Sequence, residues 1–171
     1  MSPEDASAAL VRLQGEVTLA ADGIAAGHGE RLQCRRGCAA CCVDDLSVFA
    51  LEAARIQREA PEVLLEAPGP EGACAFLDGA GACRVYEARP YVCRTQGLPL
   101  RWIDEDEAGE FVERRDICEL NEPGTPDLVD LEPEACWPLG PIEERLRALQ
   151  AAFEPADPLR RVRLRDLFGS P

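Results

Sequence analysis

The chain contains no lysine. All 18 basic residues are arginine, set against 32 acids, and the formal net charge is −14. That charge argues against nucleic acid, whose phosphates would repel the chain. Aromatics make up only 5% of residues, too few for a base-stacking platform. No apolar run approaches the ~18 residues of a membrane span, so no membrane association is expected. The N-terminus, Met1-Ser2-Pro3-Glu4-Asp5, lacks a basic region followed by an apolar stretch. A secretory leader is therefore not expected, and a reducing, cytoplasmic setting is. Histidine is nearly absent: His28 is the only one, which leaves acid–base work to carboxylates, tyrosine or cysteine. It stands at the end of the first expected helix and reads as an exposed residue there.

Cysteine is what the chain has in excess. Nine are present, and eight form a pattern: Cys34-x3-Cys38-x2-Cys41-Cys42, then Cys74, Cys83, Cys93 and Cys118. Buried structural cysteines are usually solitary, whereas thiols at two- and three-residue spacing point at one centre. In a reducing compartment such thiols bind metal rather than each other. A tetrahedral zinc site takes four ligands, and there are too many thiols here for one zinc. Cys41 and Cys42 are adjacent, and neighbouring side chains are expected to diverge, so that both rarely reach one small ion. An iron–sulfur cluster is larger and softer and accepts more varied ligand directions. Two zinc ions and one cluster with spare thiols both fit the spacing. Cys136, beside Trp137 and Pro138, reads as a small core residue.

The expected fold is α+β, mostly helical: a small, metal-centred single domain over residues 1–171 with one or two short β-hairpins. Its cysteine-cluster core covers residues 31–118, flanked by helical segments at 1–30 and 139–171. A helix is predicted over 3–26 from Ser2-Pro3-Glu4-Asp5 and the apolar spacing of Leu10, Leu13, Val17, Ala20 and Ile24. Gly37 is available for a left-handed turn in the cysteine loop. A second helix is expected over 49–60, stopped by Pro61. Cys74–Leu77 and Ala82–Val85 read as a hairpin, with Leu77 facing Ala82 and Cys74 and Cys83 diagonal on one face, roughly 7 Å apart. Arg89-Pro90 restarts a helix or turn, whose positive end would favour thiolate at Cys93. Residues 98–103 and 111–114 read as a second hairpin with an acidic tip. The proline-rich stretch 121–138 reads as irregular, and 141–153 as an amphipathic helix with Ile142, Leu146, Leu149 and Phe153 on one face. Arg160, Arg161, Arg163 and Arg165 form a basic tail that packs on the acidic body or docks a protein partner.

Cys38-Ala39-Ala40-Cys41-Cys42, Cys74-Ala75-Phe76-Leu77, Gly81-Ala82-Cys83-Arg84-Val85-Tyr86 and Arg89-Pro90-Tyr91-Val92-Cys93-Arg94 together resemble the YkgJ-type CxxCxxCC family. Its members are described as zinc- or iron-chelating. The resemblance implies metal ligation by Cys34, Cys38, Cys41, Cys42, Cys74, Cys83 and Cys93, with Cys34 displaced by one residue from the family spacing. Cys118 lies outside it and could join the centre from the second hairpin. The family includes a domain of flagellin lysine N-methylases associated with an iron–sulfur cluster, which tilts the expected cofactor from zinc or iron ions toward such a cluster. No glycine-rich nucleotide loop accompanies it. Cys34-x3-Cys38-x2-Cys41 also has the spacing of radical S-adenosylmethionine enzymes, but Ala40 stands where their aromatic does, and no β/α barrel pattern is present.

Arg31, Arg35, Arg36, Arg84, Arg89 and Arg94 interleave with the cysteines. Such guanidinium groups can offset thiolate charge and donate hydrogen bonds to sulfur. Arg89 or Arg94 could also bind an anion, and Tyr86 should pack on the first hairpin with its hydroxyl bonded to backbone. The functional expectation is a metal-binding protein with a structural, redox or metal-handling role. The alternative is an iron- or cluster-dependent enzyme acting on a peptide or small anionic substrate beside the centre.

Overall fold

Ser2 and Asp5 start the first helix by capping one another. In the computed structural model, which describes residues 1–169, the Ser2 hydroxyl accepts from Asp5 N and the Asp5 carboxylate accepts from Ser2 N. This pair satisfies donors that a helix start otherwise leaves open. Helix α1 (Pro3–His28) buries Ala6, Leu10, Leu13, Gln14, Val17 and Ala21. The expected stripe ran through Ala20, but Ala20 is exposed and Ala21 is buried. A four-residue step from Val17 keeps the stripe on the 3.6-residue period.

The cysteine loop leads into strand β1 (Ser47–Phe49) and helix α2 (Ala50–Glu59). Pro61 ends α2 and opens helix α3 (Pro61–Leu64), since a missing N–H costs nothing in a first turn. Residues 66–90 hold no strand. Helix α4 (Tyr91–Thr95) follows, then strands β2 (Leu100–Glu105) and β3 (Phe111–Asp116), antiparallel with Leu100 opposite Asp116. Their acidic tip is closed by Asp106, whose Oδ1 accepts from Ala108 N and Glu110 N. Strand β4 (Trp137–Pro138) extends β2 in parallel, helix α5 (Pro141–Phe153) packs on α1, and strand β5 (Arg161–Arg163) pairs antiparallel with β1. The fold is a small α+β single domain, 44% helix and 13% strand, with five helices and two small sheets among the described residues. Helix outweighs strand, as the spacing of apolar residues predicts.

The first hairpin is corrected. Only one bridge forms there, Leu77 with Cys83, one residue off the expected register. Asp78 is the cause: its Oδ1 accepts from Ala80 N and Ala82 N, and Asp78 N donates to Ala82 O. The tip therefore closes over five residues rather than four. Cys74 lies in a turn, with Leu77 N donating to Cys74 O, and is pinned from outside by Cys74 N donating to Cys42 O at 3.0 Å.

Two apolar clusters make the core. One gathers Val48, Ala53, Ile56, Phe76, Leu77, Val85, Leu164 and Leu167, with Cys74 inside it and Cys42 and Cys83 against it. The other gathers Leu10, Leu13, Val17, Leu51, Tyr91, Trp137 and Leu146. Helix α2 supplies residues to both, and the cysteines collect along the first. The basic tail packs on the body: Arg163 pairs with Asp45 at 3.1 Å, and Arg165 pairs with Asp44 and donates to Gly69 O, Pro70 O and Ala73 O.

Candidate metal centre

All nine cysteines are free thiols. Five of them, from three stretches of chain, lie within electrostatic reach of one another. Cys41 and Cys42 perturb each other's ionisation more than any other group does, lowering Cys41 to about 6 and driving Cys42 far up; burial and the charges of Cys41, Cys74 and Cys93 push Cys42 further. The chain turns there, with Cys42 N donating to Ala39 O.

Cys74, 9% exposed, is raised by burial and by Asp44, against Arg165 and Arg84. Cys83 is raised by burial and by Cys74, against Arg89 and Arg84. Cys93 is pushed up to about 12 by burial, then by Cys74, Cys83, Glu52 and Cys41. The expected thiolate-favouring helix start is outweighed, because α4 has only five residues while burial and the neighbouring thiols oppose the charge. The common direction has a plain physical meaning. These sulfurs cannot all ionise without a cation among them, whether protons or a metal. Among the described residues, no three or more His, Cys, Asp or Glu side chains converge as tightly as a bound ion would require.

The other predicted residues are distributed around this group. Cys38 is half-buried and lines an open cavity with Arg35 and Arg36. Cys34 is exposed, its Sγ accepting from Asn121 Nδ2 at 3.3 Å. Cys118 precedes the turn 119–121, and its carbonyl accepts from Asn121 N. Cys136 is 1% exposed and belongs to the core, as expected. His28 is not an exposed helix end: its Nε2 is bonded to Ala135 O at 2.6 Å.

One expectation about the surroundings fails and one alternative narrows. Tyr86 is 57% exposed and lies under the Arg89 guanidinium, 3.8 Å from its ring centre, instead of packing on the hairpin. Arg94 is not open to an anion, since Nε donates to Arg89 O, Nη1 to Thr18 Oγ1 and Nη2 to Glu87 O. Burial lowers it to about 10. Arg89 also donates to Tyr86 O. Arg84 reaches Glu66, Ala67 O and Ala75 O, while its Nε is buried without a partner. That orphaned donor belongs to a side chain whose charge reaches Cys74 and Cys83, and an anionic thiolate centre would suit it.

Three residues near the site escaped the sequence reading. Glu52 is 4% exposed and accepts from Tyr91 N at 2.8 Å and Gln14 Nε2 at 3.3 Å, holding α4 against α2. Asn121 is fully buried and joins Gln33, Cys34 and Gly97. Gly97 meets Cys34 so closely that a Cβ would stand 2.5 Å from its Sγ. A polar residue predicted in an irregular acidic stretch gives no local sign of burial, and only Gly97 carried one, as a turn former.

A small α+β domain thus draws cysteines from separate segments toward one apolar cluster. The chain belongs to the CxxCxxCC family, described as "Putative zinc- or iron-chelating domain", whose sequence pattern matches residues 33–123, more than half of the chain. No curated protein and no solved structure matches it. No helix among the described residues is long and apolar enough to cross a membrane.

Proposed function

We propose that this protein holds an iron–sulfur cluster through Cys41, Cys42, Cys74, Cys83 and Cys93, within a metal-binding core at 31–118 of the single domain. The observation that carries the reading is the meeting of cysteines from separate segments: Cys42 and Cys83 pack against Cys74 in one apolar cluster, and Cys74 N donates to Cys42 O. Five sulfurs exceed the four of a tetrahedral zinc ion, and a cluster accepts the more varied directions from which loop cysteines approach. The centre has a redox or metal-handling role in a reducing, cytoplasmic compartment, which keeps nine free thiols reduced.

The test is anaerobic purification followed by absorption spectroscopy with iron, zinc and acid-labile sulfide analysis. A brown protein with iron and sulfide in equal amounts is expected. A colourless protein with stoichiometric zinc and no sulfide would reduce the reading to zinc chelation, and a protein that takes up neither would end it.

A further inference from the structure

Of the six arginines interleaved with the cysteines, four have their guanidinium groups engaged. Arg31 donates to Glu122 O and Pro126 O, Arg84 to Glu66 and two carbonyls, Arg89 to Tyr86 O, and Arg94 to three oxygens. Arg35 and Arg36 differ. Both are exposed, and neither guanidinium has a hydrogen bond or ion pair among the described residues. Arg36 acts on Asp78 only at a distance, and the Asp78 Oδ1 is already accepting from Ala80 N and Ala82 N. In a chain of net charge −14, two cations without partners on adjacent residues are an anomaly.

These two side chains line a solvent-open cavity of about 440 Å³, together with Gln33, Gly37, Cys38 and Leu120. Its volume lies in the ordinary range for small-ligand pockets, about 300–1,000 Å³. The loop that carries the arginines is pinned at both ends. Cys34 is held by Asn121 and packed on Gly97. Gly37, at φ +87°, lies against the 78–82 tip, where a Cβ on Gly81 would stand 3.1 Å from Gly37 O. A loop fixed this way presents its charges without a large ordering cost on binding.

We infer that the Arg35–Arg36 cavity is a binding site for a small multiply charged anion bearing carboxylate or phosphate groups, held beside Cys38. Guanidinium pairs match both groups, since each presents planar, paired donors to oxygen. A long polyanion is disfavoured by the overall negative charge, whereas a small one feels mainly the local pair. This site involves neither Arg89 nor Arg94, where the sequence left anion binding open as an alternative, and anion binding there does not depend on which metal the thiols hold.

The test is calorimetric titration of the full-length protein, as isolated with its metal, with inorganic pyrophosphate and separately with tricarballylate. Saturable binding of at least one of them, one per chain and weakened by added salt, is expected. Phosphate-type and carboxylate-type ligands are told apart by which arm saturates. R35Q/R36Q should weaken binding about ten-fold, and R35Q alone by a smaller factor, whereas R89Q should leave it unchanged. Both arginines are exposed, so these variants keep the fold. No saturation with either anion, or undiminished binding in R35Q/R36Q, would overturn the inference. Metal content is measured in the same samples, so an empty thiol centre with anion binding intact counts against the metal reading alone.

Discussion

Asn121 donates from Nδ2 to Cys34 Sγ at 3.3 Å and to Gly97 O at 2.7 Å, while its Oδ1 accepts from Gln33 N at 2.8 Å. One buried amide thereby ties the start of the cysteine loop to the turn after α4 and to the segment after β3. Removing it leaves a backbone donor and acceptor without their partner. Asn121→Ala should cost about 1–3 kcal/mol in urea unfolding. Unchanged stability would contradict this role.

Gly97→Ala should be still less tolerated. Its φ is +92°, and the added Cβ would meet Cys34 Sγ at 2.5 Å and Asn121 Nδ2 at 3.3 Å. Backbone strain alone is of order 1–3 kcal/mol. Pairing it with Cys34→Ala separates the two causes. The double variant should recover the steric part and keep the strain, giving a non-additive cycle. Strict additivity in chemical denaturation would show that the contact is not formed.

Glu52 makes stability depend on pH with a definite sign. Burial holds its carboxyl above the ordinary value, outweighing the hydrogen bonds from Tyr91, Phe49 and Gln14. The folded protein thus keeps a proton that the unfolded chain gives up at about pH 4.3. Stability from this group is full below that pH and is lost as the pH rises through the folded value. Glu52→Gln removes the titration and keeps an acceptor for Tyr91 N. Its stability relative to the parent should therefore rise between about pH 4 and pH 8. A difference that stays constant across that range in urea midpoints would refute the assignment.

The vicinal thiols predict a pattern of metal loss. Because Cys41 and Cys42 perturb one another strongly, Cys41→Ser and Cys42→Ser should reduce bound metal by similar factors. Cys136→Ser, in the core at 1% exposed, should leave metal content unchanged while lowering thermal stability. Metal analysis of the three purified variants checks this, and a loss confined to one of the vicinal pair would support the divergence expected from sequence.

Much of the fold was legible because its signals are local. The Ser2–Asp5 cap, the first-turn proline Pro3, the helix stop at Pro61, the acidic tip around Asp106 and the apolar steps of α1 and α5 act within a few residues. The thiol-rich segments were legible too, since cysteine at that spacing is uncommon for any other reason. The register at Leu77 and Cys83 was not, because it turned on which backbone donors the Asp78 carboxylate would take. Nor was the state of Cys93, where helix polarity and burial oppose each other and the depth of the site decides. Arginine assignment failed in the same way. Six guanidiniums look alike in sequence, and Arg94 is set apart from Arg35 by how the chain folds back on it, with the Thr18 hydroxyl reaching it from 76 positions away.

By itself the sequence determined the class of chemistry, a thiol centre in an acidic, mostly helical α+β domain. Composition and spacing are properties of the chain before it folds. The tertiary structure alone decided which cysteines meet, which arginines stay without partners, and that Asn121 and Glu52 hold the loops around them. Those outcomes depend on burial and on hydrogen bonds between residues as many as 95 positions apart, which no local pattern encodes.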